Sequence, residues 1–394
     1  MKKNIIVIGP YIPGKSYGGP VKSVLNIVET LSDKFNFYVI TGDRDLNSQN
    51  EYTDVKIGSW NQIGRAKVFY VPKGKDLKYL NKLLKEINYD LIYANSFFAK
   101  HSVIVQFLRY FNIIKKPLIV APRGEFSPGA LAIKSTKKKV FLSAYKLLKL
   151  HRKLSFSSTS LTDKQDILNT LGNSLDITVA GNIANKDLDL CNPDRKKNVG
   201  ELNIVSVSRI SKIKNIDYSL QLLKKLADNG STFKEINFDI YGPLEDIDYW
   251  DKCLSIISSI KSKVNVNYRG AIEYDKVVTT LSNYHIFLLP TKGENFGHVI
   301  LEALLAGCPV IISDQTPWNN LDELDIGYDI PLNRQDNFIN AIKEYLYMDE
   351  KSYRLVSTKA YEYGVYKVDN QLSIMENIEM FNSVIQKWEE DTSG

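Results

Sequence analysis

Two glutamates, Glu294 and Glu302, stand with seven residues between them in Leu289-Pro-Thr-Lys-Gly-Glu294-Asn295-Phe296-Gly297-His298-Val-Ile-Leu-Glu302-Ala-Leu-Leu-Ala-Gly307-Cys-Pro309-Val310. The apolar run before them reads as a buried strand ending at Pro290, followed by a polar loop with Glu294 and a helix opening near Gly297. The N–H groups of that first turn, with the helix dipole, form an anion site suited to a diphosphate. Glu294 lies in the loop beside this site and Glu302 inside the helix, where His298 and Glu302 share a face. Gly307-Cys308-Pro309 ends the helix and begins the next strand. A glutamate pair at this spacing is common on surface helices, and its place after a buried strand is what makes it specific.

A second candidate is Gly9-Pro-Tyr-Ile-Pro-Gly-Lys15-Ser16, which fits the phosphate-loop pattern GxxxxGK[ST] and follows a strand. Here Pro10 and Pro13 each remove an N–H that such a loop needs. Tyr17-Gly18-Gly19-Pro20 interrupts the helix where it should begin. The only acids placed to hold Mg²⁺ for such a loop are Asp43 and Asp239, both weak candidates. The preferred reading is a Gly-rich loop with its helix starting at Val21. In that reading Gly18 and Gly19 either let backbone approach a ligand closely or simply turn the chain. Cys191, Cys253 and Cys308 form no CxxC pair, which points to a reducing compartment. His101, His151, His285 and His298 show no HxxxH spacing, so no protein-built metal site is expected.

These residues need a scaffold, and the chain of 394 residues supplies one by alternation. Apolar, β-branched runs at Asn4–Ile8, Phe37–Thr41, Val68–Val71, Leu91–Ala94, Leu118–Ala121 and Ile177–Val179 read as strands. Between them, Val21–Ser32, Leu77–Ile87, His101–Phe111, Ser135–Leu154 and Thr162–Leu171 have helical period. The alternation lapses over the polar stretch Gly181–Gly200 and restarts with strands at Asn203–Val207, Ile236–Tyr241, Val264–Tyr268, Ile286–Leu289 and Pro309–Ile312. Helices fall near Ile216–Asn229, Asp246–Ile260, Tyr274–Leu281 and His298–Ala306. From Gln335 onward only helices are expected, ending in an amphipathic one over Met375–Trp388. The pattern predicts an α/β protein of two Rossmann-like halves, each a parallel sheet covered on both faces. Ligands of such sheets bind beyond the strands' carboxyl ends, so the halves are expected to face each other across a cleft.

With its strand, loop and helix in place, ENFGHVILEALLAGCPV resembles the signature of the retaining glycosyltransferases of family 4, EGFGLVLLEAMACGTPVV, in enzymes with the two-domain GT-B fold. The likeness extends over essentially the whole chain, most strongly from Ile204 to Ile312, and points to bacterial O-antigen and capsular polysaccharide glycosyltransferases. Ser206-Val-Ser-Arg209-Ile-Ser-Lys-Ile-Lys214 is similar to the family's GRL…KG element. That likeness implies that Arg209 and Lys214 grip the donor diphosphate and that these two, with Glu294, carry the catalysis. It further implies donor contacts from Gly18, Gly19, Asn295, Phe296 and Gly297, ribose contact from Glu302, and base contacts from the backbone of Ala271 and Ile272. The attack would come from the side the leaving phosphate departs, with that phosphate helping to accept the proton. No cofactor and no metal are implied, only a UDP- or GDP-sugar as donor. One departure stands out: Ala121-Pro122-Arg123-Gly124-Glu125 replaces the family's TxHG-type motif. Arg123 cannot act as a base near neutral pH, so it is expected to contact donor or acceptor electrostatically, with Glu125 as a candidate proton acceptor. The alternative is that the two merely pair with each other.

The implied domains are an acceptor-binding one over 1–182, a donor-binding one over 200–365 and a helix over 366–394 returning to the first. Charge adds a partner. Lysines and arginines number 51 against 45 acids, a mild net +6 that speaks against a dedicated nucleic-acid binder. From Phe126 to Thr162 there is no acid and there are eight Lys or Arg. On one long helix Lys139, Lys146, Lys149 and Lys153 would form a basic face opposite Val140, Ala144, Leu147, Leu148 and Leu154, suited to an anionic membrane surface. The expected acceptor is accordingly a lipid-linked oligosaccharide. The expected location is the cytoplasm, peripheral on the inner face of the bacterial membrane. The alternatives are a P-loop ATPase or kinase using Gly9–Ser16, and a GT-B epimerase or idle scaffold.

Overall fold

Ile5, Ile6, Val7 and Ile8 are all fully buried, as are Ile286 through Leu289. A strand buried on both faces must carry apolar residues at consecutive positions, and the two sheets are built from such strands. The computed structural model describes residues 2–14, 17–46, 48–132, 135–184, 195–228, 232–260, 263–369 and 371–393. The expected connection over 181–200 therefore lies partly outside them. The chain divides into two compact units, Met1–Asn185 with Asn370–Gly394, and Lys186–Asp369.

The first unit runs β1 (Lys3–Ile8), α1 (Gly19–Leu31), β2 (Phe35–Gly42), β3 (Trp60–Ile63), β4 (Ala66–Val71), α2 (Asp76–Glu86) and β5 (Leu91–Asn95). It continues through α3 (Lys100–Tyr110), β6 (Leu118–Ala121), α4 (Pro128–Ala132), α5 (Ser135–Leu147), β7 (Ser155–Ser158), α6 (Leu161–Leu171) and β8 (Asp176–Val179). Its sheet has the order β3-β4-β2-β1-β5-β6-β7-β8, parallel except for β3, which pairs antiparallel with β4. The apolar strands match the expected ones. The added strands β3 and β7 read WNQI and SFSS, too polar to announce themselves by pattern.

In the second unit β9 (Glu201–Val207), α7 (Ile216–Asp228), β10 (Glu235–Tyr241), α8 (Ile247–Ser258), β11 (Val264–Gly270), α9 (Val277–Leu281) and β12 (Ile286–Leu289) lead into α10 (His298–Leu305). Then come β13 (Val310–Ser313), β14 (Gly327–Ile330), α11 (Gln335–Tyr347) and α12 (Glu350–Val368). The sheet is parallel throughout, in the order β11-β10-β9-β12-β13-β14. The last helix, α13 (Gln371–Ser393), belongs to the first unit, where Met380, Phe381, Val384 and Ile385 join the core beneath β1 and β2.

The expected single helix over Ser135–Leu154 is corrected. Helix α5 stops at Leu147, Lys149 takes left-handed torsions (φ 53°), and a separate short turn covers Leu150–Lys153. The four lysines therefore do not line one helical face. The core side of α5 is made by Leu142 and Tyr145, while Val140, Leu147 and Leu148 are exposed. Two aromatic anchors decide this rotation. The ring of Phe141 lies 6.1 Å from that of Phe97, and Tyr145 lies 4.9 Å from the same ring. Among the described residues no helix is long and apolar enough to cross a membrane.

Candidate active site

Reading the second sheet across, the winding direction reverses between β9 and β12. Loops leaving two strands at such a reversal diverge and open a crevice at their carboxyl ends. The two loops here are 208–215 and 290–297, which hold Arg209, Lys214, Glu294 and Gly297. They are laced together. Asn215 Nδ2 donates to Pro290 O at 2.9 Å, Thr291 Oγ1 donates to Ile213 O at 3.0 Å, and Lys292 N donates to the same carbonyl at 2.7 Å. This lacing brings Lys214 Nζ onto Glu294 Oε2, a charge-assisted bond between side chains 12% and 19% exposed. Arg209 Nη1 donates to Glu245 Oε1 at 2.7 Å.

Two glycines make the crevice possible. Gly297, the N-cap of α10, has φ 76°, and a Cβ there would lie 2.7 Å from Ile300 Cδ1 and 3.0 Å from Glu294 Cγ. Gly242 has φ 139°, and a Cβ on it would sit 1.7 Å from Ser208 O, so only glycine lets β10's end pass beneath the Arg209 loop. Gly242 N also donates to Gly270 O at 2.8 Å, which sets the start of the segment carrying Ala271 and Ile272, at the end of edge strand β11.

The loop after β12 is braced from its far side. Glu294 N donates to Gln315 O at 3.0 Å, and Trp318 Nε1 donates to Phe296 O at 2.5 Å. The Phe296 ring lies 4.7 Å from that of His298. Asn295 and Phe296 are half-buried, and Glu302 is 6% exposed within α10. The arrangement can receive an anionic group: the two laced loops carry two cations, each held by a carboxylate that an incoming anion could replace, and the second loop leads into the N-terminus of α10.

The first unit has its own reversal, between β1 and β5. Gly18 and Gly19 open α1 after β1, and Asn95, fully buried, ends β5. Asn95 Nδ2 donates to Pro20 O at 3.1 Å, which pins the glycine loop. Arg123, at φ 53°, spends three N–H groups within the unit: on Asn95 Oδ1 at 2.9 Å, Asn182 Oδ1 at 2.5 Å and Tyr93 OH at 2.6 Å. It does not pair with Glu125. That carboxylate accepts from Ser96 Oγ at 2.8 Å and from the backbone N–H groups of Phe97 at 2.5 Å and Phe98 at 3.2 Å, bracing the turn into α3. Burial raises the Glu125 pKa, against the pull of these donors.

Lys15 and Ser16 of the phosphate-loop pattern lie outside the described residues. Its two proposed Mg²⁺ acids are otherwise engaged. Asp43 takes a bidentate pair from Arg44 at 2.8 and 3.0 Å, and Asp239 accepts from Tyr284 OH at 2.7 Å, Asn267 Nδ2 at 2.8 Å and Arg269 Nε at 2.9 Å. Sequence reasoning missed Glu245, Asn95 and Tyr93. Asn95 had a legible signal, a polar residue ending an apolar strand. Glu245 had none, since its partner is 36 residues away.

The fold defined by these two parallel-sheet, Rossmann-like units is GT-B. Residues 192–362 match the family profile described as Glycosyl transferases group 1. Across 174 residues, 41% of this chain, the sequence is 28% identical to the GtfA subunit of UDP-N-acetylglucosamine--peptide N-acetylglucosaminyltransferase from Streptococcus pneumoniae, and the match spans 32% of that protein's length. It is 26% identical over 312 residues to an uncharacterized 41.2 kDa protein in the cps region of Klebsiella pneumoniae, covering 74% of this chain and 81% of that one. Among solved structures, Anabaena HepE in complex with UDP and glucose superposes with a TM-score of 0.69 at 16% identity, covering 97% of this chain and 100% of that one. Sucrose-phosphate synthase from Thermosynechococcus elongatus gives 0.67 at 15% identity, covering 98% and 100%.

Proposed function

We propose that this protein is a retaining, metal-independent glycosyltransferase. It moves a hexose from a nucleotide sugar to a lipid-linked glycan in the biosynthesis of a bacterial surface polysaccharide. The observation that carries this reading is the meeting of Lys214 and Glu294 at the strand-order reversal, beside Arg209 and the N-terminus of α10. A departing nucleoside diphosphate builds negative charge, and fixed cations with a helix dipole oppose that charge without reorganising. Lys214 and Arg209 would stabilise the leaving group, Glu294 would orient the sugar hydroxyls and Glu302 the ribose. Asn295, Phe296 and the backbone of Ala271 and Ile272 would complete the donor site.

The first unit would receive the acceptor, with Gly18 and Gly19 approaching the donor and Arg123 meeting one of the two substrates through N–H groups not spent on its three partners. Glu125 is the weaker proton-acceptor candidate, because both its oxygens already hold donors, and the leaving phosphate is the better one. UDP is the preferred carrier, supported by the names of the streptococcal relative and of the Anabaena complex. The cps-region relative supports a surface polysaccharide as product.

A thermal-shift screen against UDP-, GDP- and ADP-sugars is expected to give its largest shift with a UDP-sugar. Glu294→Ala and Lys214→Ala should each cut turnover at least about tenfold, or about 1.4 kcal/mol of barrier, with folding intact. Full turnover in both variants would sink the assignment. Activity should persist in EDTA, and strict Mg²⁺ dependence would count against the metal-independent course.

A further inference from the structure

Two residues around the start of α10 depart from the signature EGFGLVLLE toward polarity. The chain reads ENFGHVILE, with Asn295 in place of a glycine and His298 in place of a leucine. Neither change serves a diphosphate. An anion at a helix N-terminus is met by backbone N–H groups, which every residue type except proline supplies. A carboxamide and an imidazole add side-chain chemistry beside the phosphates, where the transferred sugar is attached.

The backbone that carries them is held on both sides of Asn295. Glu294 N donates to Gln315 O at 3.0 Å, and Phe296 O accepts from Nε1 of the buried Trp318 at 2.5 Å. The Phe296 ring meets that of His298 edge-on, with 4.7 Å between centroids at 62°, and lies 5.9 Å from the Trp318 ring. Phe296 and His298 are half-buried, so this cluster is not closed off by the core. The loop thus offers a held surface of aromatic carbon, flanked in the chain by the carboxamide of Asn295 and the carboxylate of Glu294.

The substituent on C2 of a hexose stands one carbon from the anomeric centre, and hence closest to the phosphate. A hydroxyl at C2 would be served by a carboxylate and would leave the aromatic surface without a partner. A sugar bearing a carboxylate would set like charge against Glu294. An acetamido group uses each part. Its methyl covers aromatic carbon, and its N–H and C=O match a carboxamide, which has both an acceptor and donors, with the imidazole as a second polar contact.

We infer that the sugar transferred is a 2-acetamido hexose, selected by the side chains of Asn295 and His298 with the Phe296 ring between them. The inference rests on the proposed nucleotide-sugar site and narrows the sugar which that site takes.

Dissociation constants of UDP-N-acetylglucosamine, UDP-glucose and UDP are measured by calorimetry on the full chain. The acetamido donor is expected to bind at least about tenfold more tightly than UDP-glucose, because a site built to hydrogen-bond an amide is left unpaired by a hydroxyl. His298→Leu and Asn295→Gly, which restore the signature, should each shrink that ratio about threefold or more. Asn295→Asp keeps the shape of the side chain and loses its N–H donors, so it should shrink the ratio as glycine does even if glycine loosens the loop. A ratio near one in the unaltered protein, or a ratio that all three variants leave unchanged, overturns the inference. Equal binding of both sugar nucleotides sinks the acetamido selection and leaves the transferase reading standing. Binding of none of the three ligands sinks the UDP-sugar reading as well.

Discussion

In the second unit the crevice between β9 and β12 is lined with ion pairs, Lys214 with Glu294 and Arg209 with Glu245, on loops that glycines let run close together. In the first unit the corresponding crevice between β1 and β5 holds, among the described residues, Arg123, which is tied to three neutral oxygens. The same winding rule thus serves two ends. A carboxylate partner can be exchanged for an incoming anion, because one charge-assisted bond replaces another. Arg123 instead joins β5, the loop after β6 and the chain at Asn182, so losing its contacts would loosen three segments at once. A shared architecture says where a crevice opens, and the loop side chains say what it does.

The sharpest way to break this comparison is at the close approach in the second unit. Gly242→Ala puts a methyl group against the Ser208 carbonyl in a torsional region that suits only glycine. It should cost about 3 kcal/mol or more and abolish the UDP-sugar thermal shift by displacing the Arg209 loop. Urea denaturation that shows an unchanged midpoint would contradict the packing described.

Acid should next separate the units. His285 is 5% exposed, with Nδ1 accepting from Asn203 N at 2.9 Å and Nε2 hydrogen-bonded to Lys196 O at 3.0 Å. Burial pushes its pKa down to about 4; the hydrogen bond to the Lys196 carbonyl opposes this most, Lys197 and Arg195 add to the lowering, and Glu201 opposes it weakly. Because the folded state binds the proton less readily than the unfolded chain, the neutral ring contributes its full stability above the unfolded value of about 6.5. That contribution, about 3 kcal/mol, is lost as pH falls from there toward about 4. In the first unit His101 is lowered too, but Asp76, 2.6 Å away, opposes the shift. Hydrogen exchange followed by peptide should therefore show the second unit loosening first on acidification, and simultaneous loosening would refute the assignment.

Smaller still is the contrast between the two cations. Arg123→Met leaves Asn95, Asn182 and Tyr93 without their donor and should cost about 2 kcal/mol of stability. Lys214→Met removes one partly exposed ion pair and should cost no more than about 1 kcal/mol, its larger effect being on turnover. Equal losses in chemical denaturation would mean that the two crevices are not filled for different purposes.

Much of this was legible before any coordinates. Consecutive apolar residues at Asn4–Ile8 and Ile286–Leu289 announce doubly covered strands, and the Glu294–Glu302 segment carries its strand, loop and helix in its own spelling. The polar strands β3 and β7 were not legible: β3 lies at the sheet's edge and is mostly half-buried, and β7 is buried but spells its buried positions with serines, Ser157 and Ser158, beside Phe156. Nor was the break in α5. A helical projection puts Leu147, Leu148 and Leu154 on one apolar side, and the structure divides them: Leu154 is buried, while Leu147 and Leu148 face outward and Phe141 and Tyr145 supply the anchors.

What the sequence determined by itself is local: periodicity, caps, glycines, and the residue types able to hold a diphosphate. These depend on neighbours within a few positions, so short windows contain them. Strand order, the lacing of 208–215 to 290–297, the capture of Arg123 by Asn95, Tyr93 and Asn182, and the outward face of α5 depend on contacts between segments far apart in the chain. Such contacts are chosen by how whole faces bury together, and only the tertiary structure decides that.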